Sequence, residues 1–133
     1  MQPNYQNQID TLLDIVYQNG ASDMHLSVGR HPFIRVSGAL NEVANYPALT
    51  AEDMVGIVTL LAGEEKAAKL ASLEEIDFAY NYGDKIRLRG NSFIQSGKIA
   101  IALRTIEKIR TIADLKLPQS LLSFTRAKQG FFL

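Results

Sequence analysis

The stretch "KIRLRGNSFIQSGKIAIALR" (residues 85–104) decides the fold. It reads as two strands, 85–95 and 98–106, folded over a two-residue turn at Ser96-Gly97. Such a turn pairs Gln95 with Lys98, Ile94 with Ile99, and Arg89 with Arg104. Because side chains alternate along a strand, Ile86, Leu88, Ile94, Ile99, Ile101 and Leu103 then share one side, which forms the core. Arg87, Arg89, Asn91, Phe93, Ala100, Ala102 and Arg104 share the other. A slip of one residue would break this agreement between the two strands, so the turn fixes the register.

The same register puts Arg89 opposite Arg104, with Arg87 on the same face, and like charges directly opposite destabilise a sheet. Two remedies exist. An acidic neighbour on the preceding strand, Asp77 or Glu75, can pair with one arginine. Alternatively, an external anion can bind. Guanidinium groups grip phosphate oxygens through two parallel hydrogen bonds, which lysine cannot imitate. Ala100 and Ala102 leave room beside them.

Outward from the hairpin, the chain alternates helices and strands. Ile9, Leu12, Leu13, Val16 and Tyr17 recur at helical spacing, giving a helix over 6–19 that ends at Gly20. "SDMHLSV" (22–28) alternates with Met24, Leu26 and Val28 inward. "FIRVSG" (33–38) is a second strand closed by Gly38. Thr50 with Asp53 forms a capping box ahead of Met54, Ile57, Val58 and Leu61, and Gly63 stops that helix. Gly56 within it points to close packing. A shorter helix covers 64–72. "EEIDFAYNY" (74–82) is a strand with Ile76, Phe78, Tyr80 and Tyr82 on one side. "TIADLKLPQSLL" (111–122) is a linker with a helical turn that Pro118 can start. Long strands joined by tight turns, with helices between, imply an α+β fold: an antiparallel sheet with helices packed on it.

Composition narrows the function. The 133 residues are 47% hydrophobic, enough for one domain with a real core. Formal net charge is zero, which argues against a broad electrostatic nucleic-acid binder. There is no cysteine, so no disulfide and no thiolate metal site. The N-terminal "MQPNYQNQID" lacks signal-peptide character. "QGFFL" (129–133) reads as a strand cut short, with the parent protein continuing.

Several sites fail on inspection. "SGK" (96–98) is no P-loop, because that motif needs Gly at 92 and Ser or Thr at 99, where Ser92 and Ile99 stand. No two glycines are separated by a single residue, so a dinucleotide fingerprint is absent. Ser22, Asp23 and His25 are too close in sequence for a catalytic triad. A structural role suits them better, with Asp23 capping a turn and His25 bonding to backbone. His25 and His31 are the only histidines, which leaves no histidine-rich metal site.

"GASDMHLSVGRHPFIRVSGAL" (20–40) resembles the start of the type IV pilus retraction ATPases, the twitching-motility proteins of the secretion ATPase superfamily. That family carries Ala-Ser-Asp-Leu-His-Leu-Ser followed by Gly, Pro and Arg-Val-Asp-Gly. "EIDFAYNY" is similar to its Val-Asp-Phe-Ser-Phe segment, and "IRLRGNSFIQSGKIAIALRTI" to its Arg-Phe-Arg-Val-Asn hairpin with a closing Arg-Thr-Ile. "TIADLKLP" resembles its linker and "QGFFL" the strand leading into Walker A. Ser37 departs from the family's Asp, Gly90 from its Val, and Lys116 from its linker Gly.

The resemblance implies a PAS-like N-terminal domain over 1–110. It also implies a linker, short helix and first strand of a RecA-like ATPase domain over 111–133. It implies a parent that hydrolyses ATP with Mg to drive pilus retraction, while this segment, without Walker A or Walker B, has no catalytic residue of its own. By position, Arg89 and Arg104 look like nucleotide-sensing arginines, Arg87 is a weaker third, and Leu115 and Pro118 lie in the hinge. The implied partners are the chain's own RecA-like domain, that of the neighbouring subunit in a homohexamer, and an inner-membrane platform protein of the pilus. The implied location is the bacterial cytoplasm, peripheral to the inner membrane. Two other readings stand beside it: the same domain of a pilus-assembly or secretion ATPase, and a PAS-like ligand sensor with an apolar internal pocket.

Overall fold

The computed structural model describes residues 4–133; residues 1–3, included in the expected domain 1–110, lie outside the described residues. Helix α1 (Tyr5–Gln18) opens the fold, capped by the Asn4 side chain accepting from the Asn7 amide. Strands β1 (Asp23–Ser27), β2 (Phe33–Val36) and β3 (Ala39–Glu42) follow, then helices α2 (Ala51–Ala62) and α3 (Glu64–Lys69) with a 3-10 turn at Leu70–Ser72. Strands β4 (Ile76–Tyr82), β5 (Ile86–Gln95) and β6 (Lys98–Ile106) complete the sheet, and a short helix α4 (Leu122–Thr125) lies in the C-terminal segment.

The six strands form one sheet in the order β3-β2-β1-β6-β5-β4, antiparallel throughout. The long hairpin takes the expected register: Gln95 opposite Lys98, Ile94 opposite Ile99, and Arg89 opposite Arg104. Ser96 (φ 51°) and Gly97 (φ 75°) are both in the left-handed region, as this turn requires.

One strand escaped the sequence reading. Ser37 (φ 49°) and Gly38 (φ 83°) make a second Ser-Gly turn of the same kind, and β3 returns along β2. All four β3 residues are exposed. They lack the apolar alternation that marked the other strands, so only the turn dipeptide signalled the strand.

The core lies between one face of the sheet and α1 with α2. Met24, Leu26, Ile76, Phe78, Leu88, Ile101 and Leu103 meet Ile9, Leu12, Leu13, Val16, Met54, Ile57 and Val58 in a single buried cluster. Leu12, Leu13, Met54 and Ile57 are fully excluded from solvent, each contributing about 1.5–3 kcal/mol of burial. Tyr17 corrects the expected helix stripe: it is 54% exposed, and its ring instead faces the Lys85 ammonium at 5.8 Å. Lys85 also bonds Asp14 at 3.1 Å, tying the β4–β5 turn to α1.

Two glycines mark close approaches. A Cβ at Gly56 would overlap the Tyr5 ring, and one at Gly90 would overlap the Phe78 ring across β4 and β5. The capping box is formed as expected, with Asp53 N donating to Thr50 Oγ1 (3.1 Å) and Thr50 N to Asp53 Oδ2 (2.9 Å). Residues 130–133 form no strand within this chain. Phe132 stacks instead on Phe124, with ring centroids 4.2 Å apart.

Candidate functional site

All described packing of α1 and α2 is on the inner face, so the outer face of the sheet is open. Pairing across five strands builds a row on that face: Arg35 (β2), Asp23 (β1), Arg104 (β6), Arg89 (β5) and Ala79 (β4). The next row holds Phe33, His25, Ala102, Asn91 and Asp77. Side chains directly opposite in such rows have Cβ atoms about 4.5–5.5 Å apart. The strand order therefore gathers three guanidinium groups and one carboxylate along a single line.

The electrostatic conflict between Arg89 and Arg104 has an acidic neighbour, but not the expected one. Asp77 lies one row away opposite Asn91, whose Nδ2 approaches its carboxylate at 3.4 Å. Asp23 does the work from the other side: Arg104 Nε donates to its Oδ1 at 2.9 Å, and Arg35 Nε lies 3.6 Å from its Oδ2. Ser22 Oγ donates to Oδ2 at 2.8 Å. Asp23 therefore caps no turn, contrary to expectation. Burial pushes its carboxyl upward, yet the hydrogen bonds from Ser22 and Arg104, with the charges of Arg104 and His25, outweigh that and hold it below the ordinary aspartate value.

Sequence reasoning missed Asp23 and Arg35 as members of this group. Alternation alone puts each on a strand face, but only the order β2-β1-β6-β5 makes them neighbours of Arg104. Arg35 Nη1 also donates to Gly38 O at 3.0 Å, anchoring it on the β2–β3 turn.

The site residues named from sequence fall in two places. Arg89, Arg104 and Arg87 lie on the open face, all exposed. Arg87 sits opposite Ile106 and Asn81, at the end of the sheet where a surface cleft is lined by Tyr17, Lys85, Ile106 and Ile109. Among the described residues neither Arg87 nor Arg89 has an ion-pair partner within 4.0 Å. Leu115 and Pro118 lie outside the sheet. Leu115 N bonds Thr111 O in a turn capped by Thr111, whose Oγ1 accepts from the Asp114 amide, and Pro118 precedes a 3-10 turn at Gln119–Leu121. Three guanidiniums facing one carboxylate leave a positive surplus on an open surface, suited to a multiply charged oxyanion.

No established family model matches the sequence. It is 28% identical over 127 residues to PilU, a type IV pilus ATPase of Pseudomonas aeruginosa, covering 95% of this chain and 33% of PilU. It is 28% identical over 126 residues to PilT, a type IV pilus retraction ATPase of the same organism, covering 94% of this chain and 36% of PilT. The chain thus spans about a third of the length of these curated relatives. The fold superposes on a crystal structure of the pilus retraction motor PilT with bound ADP at a TM-score of 0.76 and 31% identity, over 92% of this chain and 36% of that one. The Legionella pneumophila ATPase DotB shares the fold, with a TM-score of 0.73 at 24% identity, over 98% of this chain and 38% of that one. In both sequence and fold the chain is thus similar to type IV pilus ATPases over about a third of their length, consistent with an N-terminal domain of such a protein.

Proposed function

We propose that the chain is the regulatory and oligomerisation domain of a hexameric ATPase motor that drives type IV pilus retraction. In this reading residues 1–110 are the regulatory domain, and 111–133 lead into a RecA-like domain that holds ATP and Mg. Arg89 and Arg104 approach the terminal phosphates, with Arg87 at the margin. The observation that carries the reading is the paired Arg89 and Arg104 on an open sheet face, in a fold shared with an ADP-bound retraction motor.

The mechanism is electrostatic. Phosphates draw the arginine face toward the ATPase domain, and loss of the terminal phosphate weakens that attraction. The turn around Leu115 and Pro118 is the hinge that lets the domain follow. The residues on this chain bind and orient; the water attack and its Mg chemistry belong to the ATPase domain. The motor works in the bacterial cytoplasm against an inner-membrane platform protein.

The test is alanine substitution of Arg89 and Arg104 in the full-length protein. Turnover should fall by about 10³-fold, the lower end of what an arginine supplied to a P-loop site contributes. Unchanged turnover by a folded, assembled double variant refutes the role.

The DotB fold match favours a second reading, the same domain in a secretion ATPase. Force measurements on pili of a strain lacking the protein separate the two. A ligand-sensor role gains no support from the two clefts at the ends of the sheet, which lie on the surface and are lined in part by charged residues such as Lys85, Arg87, Arg30 and Lys98.

A further inference from the structure

The contact between Asp23 and Arg104 has a shape that charge neutralisation does not require. A carboxylate that simply pairs with a guanidinium does best as a fork, with two parallel hydrogen bonds. Here Arg104 donates to Asp23 through Nε alone, and among the described residues its Nη atoms donate to nothing. The Asp23 side chain is only 11% exposed, whereas that of Arg104 is 76% exposed. The carboxylate is itself fixed, by Ser22 Oγ at 2.8 Å and by Arg35, which the Gly38 carbonyl holds from the far side. Thr105 extends the same anchorage, its amide donating to Ser22 O at 3.0 Å.

We propose that Asp23 is a positioning residue: it grips Arg104 by Nε so that the free Nη edge stands beside Arg89, aimed at an oxyanion on the open face. The ligand class is a polyphosphate, and the inference rests on the phosphate reading of Arg89 and Arg104 given above. An exposed arginine otherwise samples many rotamers, and ordering it on binding opposes affinity. Asp23 carries out that ordering in advance. Arg35 and the Ser37-Gly38 turn serve as its support, which gives the β2–β3 hairpin a task at a distance from the ligand.

The sign of one substitution separates positioning from plain electrostatics. Asp23 is negative and repels an anion, so Coulomb attraction alone has Asp23→Asn bind inorganic triphosphate more tightly. Positioning has it bind more weakly, by about threefold to tenfold, the value of fixing one rotamer-rich side chain.

The experiment titrates the 133-residue chain with inorganic triphosphate, following the arginine side-chain N–H resonances by NMR. Arg104→Ala and Asp23→Asn are titrated alongside. The expected result is loss of binding in Arg104→Ala and weakened binding in Asp23→Asn. In the unaltered chain the Arg104 Nε–H should stay in place and protected at saturation, while its Nη–H signals sharpen. Asp23→Asn binding as well as or better than the unaltered chain overturns the positioning role while leaving the phosphate reading intact. So does an Arg104 Nε–H that loses protection as triphosphate binds, since Asp23 is then a competitor. Should Asp23→Asn fail to fold, that resonance in the unaltered chain decides alone. Absence of binding by the unaltered chain, or equal binding by Arg104→Ala, overturns the phosphate reading and the inference with it.

Discussion

Gly90 offers a test in which two physical effects have opposite signs. It lies on the inner face of β5, opposite Phe78 of β4. A Cβ there would overlap Cε2 and Cζ of the Phe78 ring and lie 2.9 Å from Cδ2. Phe78 is 6% exposed and belongs to the main core, so its ring has little room to withdraw. Forcing a methyl into such a contact costs about 1–3 kcal/mol. Against this, replacing a mid-strand glycine by alanine recovers about 0.5–1 kcal/mol of backbone entropy. The clash wins, leaving Gly90→Ala destabilised by about 1–2 kcal/mol. Unfolding entropy near the midpoint is about 2.1 cal/mol/K per residue, so Tm should fall by about 4–7 °C for a chain of this length. Thermal and urea unfolding of Gly90→Ala measure the effect. In a Phe78→Leu background the same substitution should approach neutrality, because the ring that opposes the methyl is gone. A Gly90→Ala variant with raised Tm, or an unchanged penalty without the ring, refutes the argument.

Two further predictions concern stability. Thr50→Ala removes one half of the α2 capping box and should cost about 0.5–2 kcal/mol, measured by urea unfolding; Thr50→Ser should recover most of it. Acid should also weaken the fold. The hydrogen bond from Thr50 holds Asp53 below its ordinary value despite burial, and Asp14 is lowered by its bonds from Tyr82 and Lys85. Groups with depressed folded values contribute stability above the unfolded aspartate value, and that contribution is lost as pH falls through the folded value. The urea midpoint should therefore hold steady near neutrality and decline below about pH 4. A midpoint unaffected down to pH 2.5 refutes this assignment.

Much of the fold was legible because it is local. The Ser96-Gly97 turn and the alternation on either side of it fix a hairpin without reference to the rest of the chain, and that register is the one observed. The α2 face was readable from Thr50 through Leu61 for the same reason. The β3 strand was not, since an exposed edge strand buries nothing and leaves no apolar pattern. Tyr17 was misplaced because helical spacing cannot say where the sheet ends. At that end the ring is left facing Lys85.

By itself the sequence determined that Arg89 and Arg104 stand opposite one another on a polar face, since pairing through a two-residue turn admits one register. It also determined the buried face of α2 and where that helix begins. Only the tertiary structure decided what relieves the two arginines. Strand order is set by how the whole sheet closes over α1 and α2, and that order inserts β1 between β2 and β6. Asp23 thereby comes to lie beside Arg104 across a separation of 81 residues, and no local pattern encodes that neighbour.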